Sequence, residues 1–383
     1  MRIMISAGEA SGDMHAGALA AEIKKEDPRA ELFGMGGSSM RRAGVEIIYD
    51  IENLGMIGMV EVIRHLPLFF KLHSFLKEQM KTRKPDVLVC VDYPGFNMKL
   101  AHAAKELGIP VVYYIAPTIW AWHKSRAKNI VRDVTQVASI FPFEAEAYEK
   151  AGAPVTFVGH PLADTVKPSM SHDEAMHFFG ADSEKKRVLL MPGSRKNEVS
   201  GLLPVMLEAA RTIHQTTKAQ YFLPRADTIS EEFLSPFLEQ ATDLDIHVTT
   251  EKQYDLMHIC HVAIASSGTA TLETALMELP TVLVYRLSRM TWLLAKLLVQ
   301  IQYAGLPNIL LGKEVTPELL QDAVNPEAIS KAALVWLTDE ETRQKNIREL
   351  LAVREALGAG GAVVRTARLV LDTAGVSHGN KNK

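Results

Sequence analysis

The feature that most restricts the fold of this chain is a repeated exchange between short apolar runs and longer amphipathic ones. In the first half, Arg2–Ser6, Glu31–Gly34, Val87–Asp92, Val111–Ile115, Ser139–Phe141 and Thr156–Val158 read as strands. Between them, Leu100–Leu107 and Glu144–Ala151 read as helices, each followed by a glycine, Gly108 and Gly152, suited to a helix C-cap. The second half repeats the scheme. Arg187–Met191, Gln220–Leu223, Ile246–Thr249, Val262–Ala265 and Thr281–Tyr285 read as strands, and Leu202–Thr216 and Thr269–Met277 as helices. Strands that are apolar throughout and separated by helices imply a parallel sheet covered on both faces. Two such series predict two doubly wound, Rossmann-like α/β domains. Ligands are then expected at the carboxyl ends of the strands, in a cleft between the domains. The polar stretch Pro161–Asp182 marks the join. The expected division is a domain over 1–165, a second over 166–350, and a helical tail over 351–383 that packs back on the first. Gly358–Gly361 reads as a break in that tail rather than a nucleotide loop, because no strand precedes it.

A length of 383 residues, 47% of them apolar, allows two sizeable cores. A net charge of −3 argues against nucleic acid as the main partner. Cys90 and Cys260 lie in apolar, strand-like runs without CxxC spacing and read as buried thiols in a reducing compartment. Met1-Arg2-Ile3 begins a strand at once, so no signal peptide is expected, and no apolar stretch is long and clean enough to span a bilayer.

Three loops carry the chemistry. The first strand runs into Ser6-Ala-Gly-Glu-Ala-Ser-Gly-Asp13, ahead of a helix over Met14–Lys25. Gly8, Ser11 and Gly12 let a ligand approach the backbone, while Glu9 and Asp13 offer carboxylates. An ordinary βα turn reads much the same. Met191-Pro-Gly-Ser-Arg195 places a guanidinium at a strand's carboxyl end, where a diphosphate can be held by paired hydrogen bonds. In Ala265-Ser-Ser-Gly-Thr-Ala-Thr-Leu-Glu273, backbone amides at a helix start suit a phosphate, and Glu273, one turn on, suits ribose hydroxyls. A capped helix with a first-turn acid is the alternative for this last loop. Asp92 ends an apolar strand, with Pro94 expected to delay the next helix and leave the carboxylate facing the cleft. Asp243-Leu-Asp245 mimics a metal motif but precedes a strand, at its amino end. His15, His123 and His160 lack ligand spacing, so no metal is expected.

Together with Asp92-Tyr-Pro-Gly-Phe-Asn97, Pro117-Thr-Ile-Trp-Ala-Trp122, Val158-Gly-His-Pro-Leu162 and Gly305-Leu-Pro-Asn308, these loops resemble the lipid-A-disaccharide synthase family over nearly the whole chain, in the same order. The resemblance implies the GT-B fold and an inverting glycosyltransferase. The reaction it implies joins UDP-2,3-diacylglucosamine to 2,3-diacylglucosamine 1-phosphate, giving a β-1,6-linked lipid disaccharide and UDP, with no cofactor. By resemblance Gly193, Ser194, Arg195, Ser267, Gly268, Thr269 and Glu273 hold UDP, with Asn308 and Gln321 near the same pocket. Asn97, Gly159 and His160 join the substrate contacts, and Arg195 stabilises the leaving group. Asp92 is the first candidate for the base, and Glu9 and Asp13 are its rivals. Family members often carry an acid at the position of Gly95, so no role of that acid transfers to this chain.

Residues 54–76 are apolar and dotted with basic groups, which fits either a pair of core helices or a segment lying in a membrane interface; acylated substrates favour the second. Arg286–Tyr303 fits an extension of that face or a homodimer contact. Trp120, Trp122, Lys124, Arg126 and Lys128 fit either a sugar-phosphate subsite or a buried hairpin with a solvated rim. The expected setting is the cytoplasmic face of a Gram-negative inner membrane, held peripherally. A UDP-sugar 2-epimerase on the same scaffold and a non-catalytic lipid-binding module are the alternatives.

Overall fold

The computed structural model describes residues 1–54, 66–119, 124–287, 292, 302–358 and 360–381. The chain divides into two compact units. Unit 1 comprises Met1–Pro161 and Leu357–Lys383, and unit 2 is the contiguous segment Leu162–Ala356.

Unit 1 is built on a seven-stranded parallel sheet, β1 (Arg2–Ala7), β2 (Glu31–Gly36), β3 (Glu46–Asp50), β4 (Val87–Val91), β5 (Val111–Tyr114), β6 (Gln136–Ser139) and β7 (Val155–Phe157), in the order β3-β2-β1-β4-β5-β6-β7. Its helices are α1 (Ala10–Glu26), α2 (Ser38–Arg42), α3 (Leu66–Arg83), α4 (Pro94–Glu106), α5 (Lys124–Asp133) and α6 (Pro142–Lys150), plus the C-terminal helix Ala362–Lys381. The central strands β1 and β4 are buried along almost their entire length, as apolar strands covered on both faces must be. The chain reverses direction of growth at β1/β4, so the loops after these two strands flank the topological switch point, the usual ligand position in such sheets.

Unit 2 repeats the plan with six parallel strands, β8 (Lys186–Met191), β9 (Ala219–Pro224), β10 (Ile246–Thr249), β11 (Val262–Ser266), β12 (Thr281–Tyr285) and β13 (Glu318–Leu320), in the order β10-β9-β8-β11-β12-β13. Its helices are α7 (Leu162–Thr165), α8 (His172–Phe178), α9 (Lys196–Thr216), α10 (Glu231–Glu239), α11 (Gln253–Ile259), α12 (Thr269–Leu276), α13 (Leu306–Leu311), α14 (Pro326–Thr338) and α15 (Glu340–Ala356). Here β8 and β11 form the switch point, and Ala265 pairs with Met191 across it.

Several elements depart from the sequence reading. The strand expected at Ser139–Phe141 lies earlier, at Gln136–Ser139, because Pro142 starts α6 at its first turn and Phe141 is its N-cap. The helix after Asp92 is not delayed by Pro94: the proline is itself the first residue of α4, where its missing N–H costs nothing. The short edge strands β3 and β13 are additional to the strands read from the sequence. The tail breaks between Ala356 and Ala362, and the C-terminal helix buries Ala367, Val370 and Ala374 in unit 1. The unit boundaries fall at Pro161/Leu162 and Ala356/Leu357. Cys90 and Cys260 are buried free thiols.

Candidate functional site

In unit 2 the loops after β8 and β11 lie side by side and line a cavity of about 400 Å3. Gly193, Ser194, Arg195, Ser267, Gly268, Thr269 and Glu273 all reach it, so the structure brings together the seven residues that sequence reasoning assigned to UDP. Gly193 (φ 112°) has no room for a side chain: a Cβ would come within 2.5 Å of Glu198 Oε2. Gly268 (φ 142°) is the N-cap of α12, and no described group accepts from its N–H or from that of Thr269. These donors, with the helix dipole behind them, have the chemistry that suits an anion.

The Arg195 half of the cavity is different. Ser194 N and Arg195 N donate to Glu198 Oε2 at 3.2 and 3.3 Å, and Arg195 Nη1 donates to Oε1 at 3.2 Å. Glu198, in the first turn of α9, thus accepts from the N-cap amide and the amide before it, and its carboxylate occupies the donors expected to meet a phosphate. The Arg-x-x-Glu spacing ahead of a helix is the signal that could have revealed it. Glu273 is half-buried. Tyr254 Oη donates to it at 2.9 Å, and Gln253 Nε2 approaches its other oxygen at 3.5 Å. Burial raises the Glu273 pKa, and the Tyr254 hydrogen bond partly offsets this. Arg225 and Gln253 also line the cavity; neither stood out in the sequence.

Asn308 and Gln321 do not join this site. Asn308 is fully buried. It accepts from Val315 N and Thr316 N and donates to Thr316 O and Glu318 Oε1, which uses its whole amide. Gln321, with its amide oriented by its partners, pairs with both backbone groups of Leu287. Both are internal braces. Asp243 and Asp245 sit at the amino end of β10, ion-paired to Arg211 and Lys185 respectively, each at 2.8 Å.

In unit 1 the chain turns from β4 into α4 through Asp92 (φ 49°) and Tyr93 (φ 51°), two consecutive non-glycine residues in the left-handed region. Asn97 holds this turn. Its Nδ2 donates to Ser6 O, Val91 O and Asp92 O, and its Oδ1 accepts from Ser6 Oγ at 2.7 Å. Tyr113 Oη adds a second donor to Asp92 O at 3.0 Å. Asn97 is therefore a bracing residue, with no amide atom left for a substrate. Gly8 is explained by the same turn, since a Cβ there would lie 2.1 Å from the Tyr93 ring.

The three candidate acids separate clearly. Asp13 is buried, and its carboxylate accepts from the amides of Gly37, Ser39 and Met40 at 2.6, 2.8 and 3.2 Å. It caps α2 and is withdrawn from the chemistry. Glu9 is exposed at the N-cap of α1, and Ser11 is exposed in its first turn. Asp92 is half-buried. Burial raises its pKa, against a hydrogen bond from Tyr93 and the charge of His15. His15, on α1, is in turn lowered by burial and raised by Asp92, and burial lowers His160 to about 3. Nothing in the local sequence of His15 signals its place beside Asp92. His160 packs its ring 4.9 Å from that of Phe141. Gly159 (φ 86°) leaves space for the tail, where Arg365 Nη2 would stand 2.7 Å from a Cβ. Gly12 packs closely on Val91 O, 3.5 Å from its would-be Cβ. These last two contacts are internal to the fold.

Arg126 is half-buried on α5, where its charge reaches Tyr113 and Tyr148. Trp120, Trp122 and the Lys124 side chain lie outside the described residues, as do 55–65 of the apolar segment and 288–291 and 293–301 of the second apolar run. The described part of the first segment enters α3, which buries Leu72 and Leu76 but leaves Phe70 61% and Phe75 39% exposed. Among the described residues, no helix is long and apolar enough to cross a membrane.

The structure is similar to those of a UDP-GlcNAc 2-epimerase from Neisseria meningitidis bound to UDP-GlcNAc (TM-score 0.65, 12% identity, 97% of this chain and 100% of that one) and of MurG from Acinetobacter baumannii (TM-score 0.60, 17% identity, 97% and 99%). At such identities the likeness shows the shared GT-B-type fold. Sequence goes further. The family model described as lipid-A-disaccharide synthetase matches residues 3–363. Lipid-A-disaccharide synthases of Trichlorobacter lovleyi and Geobacter metallireducens are 45% and 43% identical over 371 and 375 residues. Those alignments cover 97% and 98% of this chain and 97% of each relative. The chain belongs to the lipid-A-disaccharide synthase family and is a glycosyltransferase of lipid A biosynthesis.

Proposed function

We propose that the chain transfers 2,3-diacylglucosamine from its UDP carrier to the 6-hydroxyl of 2,3-diacylglucosamine 1-phosphate, with inversion at the anomeric carbon. The observation that carries this reading is the unit 2 cavity, where the open amides of the α12 start and the Glu273 carboxylate converge. Glu273 accepts the ribose hydroxyls, and the Gly268 and Thr269 amides face the diphosphate. Arg195 meets the charge that develops as the bond from the anomeric carbon to the diphosphate oxygen breaks. A diphosphate that also reaches Ser194 and Arg195 displaces the Glu198 carboxylate from their N–H groups.

Asp92 takes the proton of the acceptor hydroxyl as its oxygen forms the new glycosidic bond. Burial raises its pKa, which makes it a stronger base than an exposed aspartate. The reading calls for no metal or other cofactor, since guanidinium and helix dipole supply the positive charge. It places the protein peripherally on the cytoplasmic face of an inner membrane, with the exposed phenylalanines of α3 toward the lipid. The 2-epimerase alternative is not favoured, because its support is a fold shared at 12% identity.

Incubation with both acylated sugars, followed by mass spectrometry, tests the proposal. The expected products are the tetraacyl disaccharide phosphate and one UDP per disaccharide; both substrates unchanged would overturn it. Arg195→Ala and Glu273→Ala are each expected to weaken UDP binding roughly 10- to 100-fold, the scale of a lost charge-assisted contact, without lowering the melting temperature.

A further inference from the structure

Unit 1 contains a cavity of its own, lined by none of the residues assigned to UDP. It measures about 860 Å3 and lies between α3, α4 and α5. Its walls are apolar, formed by Phe69, Phe70, Tyr93, Phe96 and Met98. One stripe of α4 lines it: Gly95, Met98, Lys99, His102, Ala103 and Glu106, spaced as a single helix face. One end of the groove is therefore made by Tyr93 and Gly95, the residues that follow Asp92 through the strained turn.

The charges on the rim are not balanced. Lys77 bonds Glu106 at 2.7 Å, and Arg132 bonds Asp133 at 2.7 Å. His102 stands 3.0 Å from Asp133. Lys99 has no carboxylate partner among the described residues, and its ammonium sits 5.7 Å from the centroid of the exposed Phe70 ring. An apolar trough with one surplus cation at its edge complements an amphiphile that has an alkyl tail and an anionic head. Among the described residues, nothing lies within 4 Å of a would-be Cβ on Gly95, at the end of the trough beside Asp92.

We infer that this groove holds an acyl chain of the acceptor sugar phosphate, with Lys99 drawing in the phosphate, and so sets both the acceptor's position at Asp92 and the enzyme's chain-length preference. The inference rests on the transferase reading and names where its acceptor lies. The groove takes the acceptor rather than the UDP-linked donor because it adjoins the candidate base, while the nucleotide cavity belongs to unit 2.

The test uses the full chain with diacylglucosamine 1-phosphates bearing tetradecanoyl or butanoyl chains. The wild type should show a KM at least about tenfold lower for the long-chain acceptor, as expected when several methylenes leave water. Met98→Trp, which fills the trough, should remove that advantage while leaving the butanoyl acceptor and UDP affinity within about twofold. Met98→Ser, which adds no bulk, should weaken the long-chain acceptor in the same selective way and serves if the tryptophan variant does not fold. Lys99→Glu should weaken both phosphorylated acceptors and leave their ratio unchanged. Equal losses for both chain lengths in the Met98 variants, or an effect on vesicle binding alone, would overturn the assignment. If no disaccharide forms with any acceptor, the transferase reading fails separately. Equilibrium binding of the tetradecanoyl acceptor without donor then still decides the groove, because Met98-dependent binding supports it and Met98-independent binding refutes it.

Discussion

At the residue scale, short polar side chains carried the most ambiguous signals. Asp13, Asp92, Asn97 and Asn308 all sit at a strand-to-helix turn or in the first turn of a helix, where a cap, a brace and a ligand contact look alike in sequence. Only the positions of backbone N–H groups separate them: three amides claim Asp13, and a closed set of donors and acceptors claims Asn308. Asp92 remains, with its pKa raised by burial. Folding therefore favours its neutral form, and its ionisation above the unfolded pKa costs stability. Asp92→Asn should raise the melting temperature at neutral pH while lowering kcat about 10^2- to 10^4-fold, with UDP affinity unchanged. A variant that is both less stable and still active would refute that assignment. His160 works in the opposite sense. Burial holds it near 3, below the usual 6.5, so the unfolded chain binds the proton more readily. Its contribution is complete above 6.5 and lost as pH falls toward 3. Replacing it with glutamine should flatten the acid limb of a stability-versus-pH curve, which chemical denaturation at stepped pH measures.

At the scale of elements, the central strands and the helices that cover them were plain in the sequence because burial on both faces leaves an unbroken apolar run. The edges were not. Glu46-Ile-Ile-Tyr-Asp50 is half-exposed, and Glu318-Leu-Leu320 is too short to show a period. The loops after β8 and β11 each also read as an ordinary turn or cap, and their convergence in one cavity follows from β8 and β11 being neighbours. What sequence could not show was the occupation of one loop by Glu198. The turn from β4 to α4 is the element on which catalysis should depend most. Asn97→Ala removes a donor from Ser6 O and Val91 O and the acceptor of the Ser6 hydroxyl, while Asp92 O keeps Tyr113 Oη, at a cost of about 1–3 kcal/mol. The expected kinetic signature is a fall in kcat with UDP affinity retained; equal loss of both would show that the damage is global.

At the scale of the molecule, the two units differ in how they are assembled from the chain. Unit 2 is one uninterrupted segment, whereas unit 1 is finished by Leu357–Lys383. Arg365 Nε donates to Val158 O at 2.8 Å, His160 N to Leu357 O at 3.1 Å, and Arg368 pairs with Glu26 on α1. Removing residues after Ala356 strips Leu357 and Val370 from the unit 1 core, a loss of roughly 3–6 kcal/mol from those two side chains. Calorimetry of the truncated chain should show the unit 1 transition lowered or lost and that of unit 2 preserved, with UDP still bound. A uniform shift of both transitions would contradict this. The same arrangement has a consequence for biosynthesis. On the ribosome, Leu162–Ala356 can close as soon as it emerges, while Met1–Pro161 must wait, its α1 face uncovered, for Leu357–Lys383 to be translated. A chain broken off before Leu357 would thus carry a closed unit 2 beside a unit 1 still lacking its covering helix.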